Sequence, residues 1–236
     1  TSTLRFLTVR TGLTESIHDV DVFATDATGA ELYQSGDANR PLFYRSAVKP
    51  LQATVCLEAG VDLFPEHLAV ACSSHSGFPA HIAIVQQMLR DAGLDERALQ
   101  CPEVWPLSQI ARDLQIRRGV GSKRRVFHNC SGKHAGMLGL ARVHGWRLKG
   151  YERGDHPVQE RMRRVTSDWT GVAASDLREG VDGGAIPCDA VPLGTKAEAF
   201  ARRAGEAGDG PRAVEDRYMS PKARLGRPQA QARSES

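Results

Sequence analysis

Ser46-Ala47-Val48-Lys49 is the first segment of this 236-residue chain whose residue types and spacing suit nucleophilic catalysis. Serine and lysine three residues apart share one helix face, so the lysine nitrogen can reach the hydroxyl. A buried lysine beside another cation, here Arg45, can act as general base for such a serine. Pro50 cannot lie in a helix interior, so the helix must begin at about Ser46–Lys49. That start puts Ser46 at the positive end of the helix dipole, where an oxyanion is stabilised. Leu51, Val55 and Ala59 continue the helix, and Gly60 closes it. A lone Ser-x-x-Lys is a weak signal, because serine is also an ordinary N-cap.

Three further segments carry reactive side chains. Ser73-Ser74-His75-Ser76-Gly77 groups three hydroxyls and an imidazole, enough for a nucleophile and a proton carrier, or for a polar helix cap. In Asn129-Cys130-Ser131-Gly132-Lys133-His134, positions 130, 133 and 134 face one way at a helix start. Cys130 is then either a metal ligand with Lys133 or His134 nearby, or a thiolate activated by Lys133 and the helix N-terminus. Gly132 and Gly136 would let another backbone approach closely. Gly180-Val181-Asp182-Gly183-Gly184 reads first as a turn, and Asp182 could bind an ammonium group.

The elements that must position these groups follow from periodicity. Residues 3–9 and about 17–25 alternate as strands, and Asp26-Ala27-Thr28-Gly29 turns the chain back through 30–34. The apolar run 68–72 reads as a buried strand. Helices are expected over about 79–92, with Pro79 in the first turn and Gly93 as the stop, over 132–144, and after Asp155. Strands early and helices late predict an α+β fold, helices on a mostly antiparallel sheet. The domain expectation is one folded domain over 1–200 and a polar, disordered tail over 201–236.

Composition narrows the function classes. Hydrophobic residues make up 41% and charged residues 25%, ordinary for a globular domain. The net charge is +3, all of it from residues 201–236, so the body is neutral and nucleic acid is not an expected partner. The basic cluster Arg117, Arg118, Lys123, Arg124 and Arg125 reads as a solvated loop. No stretch is long and apolar enough for a membrane helix, and no signal peptide is expected. Five cysteines without a CxxC pair favour a reducing, cytoplasmic compartment over a disulfide framework.

The ordered run RSAVKPLQA, CSSHSG, NCSGKHAGML, Tyr151 ahead of DHPVQ, and VDGG-x-x-P resembles the serine–lysine type of bacterial L-asparaginase, the rhizobial, thermolabile class. The resemblance covers about residues 5–195. It implies a fold similar to serine β-lactamases and glutaminases, with an incomplete C-terminal part here. It implies hydrolysis of L-asparagine to L-aspartate and ammonia through a serine acyl-enzyme, in a homodimer with zinc near the substrate. Ser46 and Lys49 match one tandem, and Ser74, or else Ser76, matches the nucleophile of the other. Arg45, His75, His134 and Asp182 match substrate-pocket positions, and Cys130 and Lys133 match metal ligands. The sequence departs from the family at Gly184, which stands where a cysteine ligand is expected and weakens the expected zinc site. The resemblance also fades after Leu193-Gly194. The competing readings are an impaired or inactive truncated remnant of the family, a Cys130-dependent amidase and a metal-binding structural module.

Overall fold

A computed structural model of the chain describes residues 3–205. In chain order its strands are β1 (Leu4–Arg10), β2 (Leu13–Val20), β3 (Val22–Thr25), β4 (Glu31–Ser35), β5 (Pro41–Phe43), β6 (Arg178–Val181) and β7 (Pro187–Pro192). The helices are α1 (Lys49–Glu58), α2 (Pro65–Cys72), α3 (Pro79–Asp91), α4 (Gln109–Arg117), α5 (Ser131–Val143), α6 (Pro157–Thr170) and α7 (Leu193–Gly205). A single 3-10 turn, Arg45–Val48, leads directly into α1. The expected tail over 201–236 begins within α7, and the rest of it lies outside the described residues.

The fold is α+β and its strand pairs are antiparallel, as the strand and helix patterns require. The strands are divided among three small sheets, β1-β2, β3-β4 and β5-β7-β6. The predicted strand over 17–25 is interrupted at Asp21, so it contributes to two of them. One expectation is corrected: the run 68–72 is not a strand but the second half of α2. Pro65 opens that helix in its first turn, where a missing N–H costs nothing. Five apolar residues are too few to separate a buried strand from a buried helix by period.

The chain divides into two compact units. Of the described residues, the first comprises 3–45, 162–182 and 187–205. In it the β5-β7-β6 sheet carries Cys188, Ala190 and Val191 into a core with Leu177 and Trp169. Arg163 binds Glu179 and Asp189 at 3.0 Å each, and the carbonyls of Ala174 and Leu177, so one guanidinium gathers that unit's loops.

The second unit comprises residues 46–161 and 183–186 of the described chain. Its centre is α5, whose residues Ser131–Ala141 are all buried, in contact with α1, α2 and α3. A helix enclosed on every side belongs inside a bundle, and its buried Ser131 and His134 are hydrogen-bonded there. Its approach to α2 requires glycine at 132, where a Cβ would lie 2.6 Å from both the Val70 carbonyl oxygen and a Val70 methyl.

Candidate active site

The second unit contains three of the sequence segments whole, and Gly183 and Gly184 of the fourth. The 3-10 turn and the first turn of α1 present Ser46 and Lys49, and the loop between α2 and α3 presents Ser73, Ser74, His75 and Ser76. Arg45, just before Ser46, has φ 52°, a left-handed conformation that costs a residue with a Cβ of the order of 1 kcal/mol or more. The loop after Ser73 turns at Gly77 (φ 79°), where a Cβ would meet Pro106 at 2.7 Å. The loop is pinned to the α5 segment by the His75 N–H, which donates to the Asn129 carbonyl at 3.0 Å.

Lys49 is 2% exposed. Its Nζ donates to the Ser73 carbonyl at 2.6 Å and to Ser74 Oγ at 2.8 Å. Ser74 Oγ is in turn 2.8 Å from Ser46 Oγ. Ser46 and Ser74 are exposed. A buried amine therefore sits beneath two hydroxyls that are open to solvent. Ser76 is half-buried and holds the chain by its carbonyl, which accepts from the Ser108 N–H at 3.1 Å.

His75 is buried, and its Nε2 lies 2.8 Å from Ser131 Oγ. Ser131 donates its one hydrogen to the Val126 carbonyl at 2.9 Å. It therefore accepts from His75 Nε2–H, which leaves Nδ1 as the lone-pair nitrogen. That atom is buried with no hydrogen-bond partner among the described residues. Burial lowers the His75 imidazole to about 4, helped by His81, Lys49 and His128.

Cys130 and Lys133 lie at the start of α5, both buried. Burial pushes the Cys130 thiol up, but the His128 hydrogen bond and the charges of Lys133 and Lys49 outweigh it and bring it to about 7. His128 is the residue that sequence reasoning missed. Its Nδ1 accepts from the Cys130 N–H at 3.1 Å, so Nε2 carries the proton and donates to the Gly183 carbonyl at 3.0 Å. One imidazole thus joins the Asn-Cys-Ser-Gly turn to the Asp-Gly-Gly turn. Its place two residues before Cys130 was the only signal available.

His134 is fully buried in α5, with Nδ1 2.7 Å from the Tyr151 hydroxyl. That hydroxyl accepts from the Gln100 N–H at 3.0 Å, which leaves its hydrogen for His134. Burial raises the Tyr151 hydroxyl and keeps it protonated, as this donation requires. Arg45, exposed, and Asp182, half-buried, belong to the first unit.

A metal at Cys130 and Lys133 would need further donors. Gly184 offers no side chain, and no group of three His, Cys, Asp or Glu suited to a metal occurs among the described residues. Cys188, four residues on, is buried in β7 of the first unit. Two donors do not close a tetrahedral zinc site.

The profile of L-asparaginase II matches residues 7–223, nearly the whole chain. The chain belongs to the L-asparaginase II family. That match extends past the point near residue 195 where the motifs alone become unreadable. A search of curated proteins finds no match. Family membership makes the protein an asparaginase-like amidohydrolase with a small-molecule substrate. No described helix is long and apolar enough to cross a membrane.

Proposed function

We propose that the protein hydrolyses L-asparagine to L-aspartate and ammonia, with Ser74 as nucleophile and Lys49 as its base. The observation that carries this reading is the 2.8 Å separation of Lys49 Nζ from an exposed serine hydroxyl in a chain of this family. With Lys49 as the neutral amine, the same separation lets Ser74 donate its proton to Nζ. Ser74 Oγ then attacks the side-chain amide carbon. Ser46, 2.8 Å away, donates to the developing alkoxide or passes a proton along the pair. Protonated Lys49 returns the proton to the leaving nitrogen, ammonia departs, and water hydrolyses the aspartyl ester. Ser76, the other serine of the loop, is the weaker candidate, because it is half-buried and outside the Lys49–Ser74–Ser46 chain.

Arg45 and Asp182 are proposed to take the substrate's carboxylate and ammonium groups, and His75 and His134 to line its pocket. Such charged groups need fixed partners of opposite sign. Zinc is proposed only as a weakly held ion at Cys130 and Lys133, and no step of the reaction is drawn through it. None of the five cysteines is in a disulfide and all are buried, which supports a reducing, cytoplasmic setting. Assembly as a homodimer is an expectation from the family resemblance alone.

A second reading has one observation in its favour. At about 7 the Cys130 thiol is substantially ionised at neutral pH, so it could attack an amide in place of serine. Its burial disfavours that role beside the exposed Ser74. Acid-quenching the enzyme during turnover of L-asparagine and mapping the peptides decides between them. An aspartyl ester on the Ser74 peptide is expected. A thioester on Cys130, or an ester only on Ser46 or Ser76, would overturn the assignment.

A further inference from the structure

A charged recess of the second unit lies away from the serines, at the far ends of the helices that carry them. α1, α3 and α5 all terminate there, around a cavity of about 460 Å³ lined by Gly60–Leu63, Met88, Asp91–Gly93, Ala135, Gly139, Arg142 and Val143. That is enough space for a small organic ligand. Met88, Ala135 and Gly139 are buried and form the floor, while Val61 and Leu63 are half-buried beside it.

The charges around the cavity are mixed but not paired with each other. Asp62 and Arg142 make no side-chain hydrogen bond or ion pair among the described residues. Asp91 accepts from Gln87 Nε2 at 2.6 Å and lies 4.0 Å from His67. The Arg142 guanidinium lies across Gly93, where a Cβ would be 3.7 Å from Nη2. Three helix C-termini add partial negative charge, which favours a cation at the Asp62–Asp91 side. Arg142 is the positive group among the cavity's lining residues, suited to a carboxylate. Opposite charges that share a cavity without meeting are complementary to a ligand that carries both signs.

We propose that this cavity binds a free aliphatic α-amino acid. Asp62 and Asp91 hold its ammonium group, Arg142 holds its carboxylate, and Val61, Leu63 and Met88 receive its side chain. L-Leucine is the probe, because it has no side-chain amide and cannot be a substrate of the serine site. Isothermal titration into the full chain is expected to show saturable leucine binding, retained in Ser74→Ala. Arg142→Gln and Asp62→Asn, both at exposed positions, should each weaken it about tenfold or more. Isoamylamine, which lacks the carboxylate, and isocaproate, which lacks the ammonium, should bind at least about tenfold more weakly than leucine. The proposal is overturned by absence of saturable leucine binding, by binding unchanged in both variants, or by either fragment binding as tightly as leucine.

Discussion

In the proposed mechanism the chemistry depends on Lys49, whose one nitrogen holds both the Ser73 carbonyl and the Ser74 hydroxyl. Lys49→Met should lower kcat by about 100-fold or more with little change in KM, the usual cost of losing a positioned base; steady-state kinetics checks this. His75 gives a pH prediction. Its folded imidazole lies at about 4, below the ordinary 6.5, so the unfolded chain takes up this proton more readily than the folded one. Its contribution to stability is present above pH 6.5 and is lost as the pH falls from 6.5 towards 4, by about 3 kcal/mol at most. Urea unfolding of wild type and His75→Gln at pH 7 and pH 5 should show a smaller loss in the variant, although His81, also lowered by burial, contributes in the same direction. That Ser46 and Lys49 share one turn was legible in the sequence because it is local, whereas the bond of Lys49 to Ser74 joins segments 25 residues apart. Two further features were not. The choice of Ser74 over Ser76 depends on how a loop with no period meets α1. The role of His128 depends on its contact with Gly183, 55 residues away.

At the scale of elements, the position of Lys133 and His134 depends on how closely α5 passes α2. Gly132→Ala would drive a methyl to within 2.6 Å of the Val70 carbonyl, which is backbone and cannot rotate away. Overpacking of this kind costs about 1–3 kcal/mol. Gly136→Ala meets only Cys56 Sγ at 3.6 Å, an ordinary contact, and should be nearly neutral or slightly stabilising through the helix propensity of alanine. Thermal unfolding of the two variants side by side tests this contrast. The helices that the sequence marked with proline at the start and glycine beyond the end, such as α3, are found within a residue or two of their expected bounds. At α2 these marks are weakest: Pro65 stands three residues ahead of an apolar run too short to show a period. The division of the strands into three sheets was also hidden, because pairing between β5 and β7 links residues about 150 apart.

At the scale of the whole molecule, burial is uneven. α5 is enclosed along nearly its full length, whereas every residue of β1 and most of β2 is exposed, with Phe6, Leu7, Val9, Leu13 and Ile17 at 54–76%. Amides of the β1-β2 hairpin should therefore exchange with solvent orders of magnitude faster than those of α5, as hydrogen-exchange mass spectrometry can measure. Equal protection would mean that the hairpin is covered in solution. Neither the hairpin's exposure nor the division into two units can be read from periodicity, which reports the face of an element but not what covers it.

The central claim is that Ser74, Lys49 and Ser46 form an amide-hydrolysing site, and ammonia release from L-asparagine by the purified chain tests it most directly. The account predicts release by the wild type, loss of at least about 100-fold in Ser74→Ala and Lys49→Met, and a clear reduction in Ser46→Ala, with each variant folded by circular dichroism. Undiminished release in folded Ser74→Ala and Lys49→Met, or none from a folded wild-type chain, would contradict it.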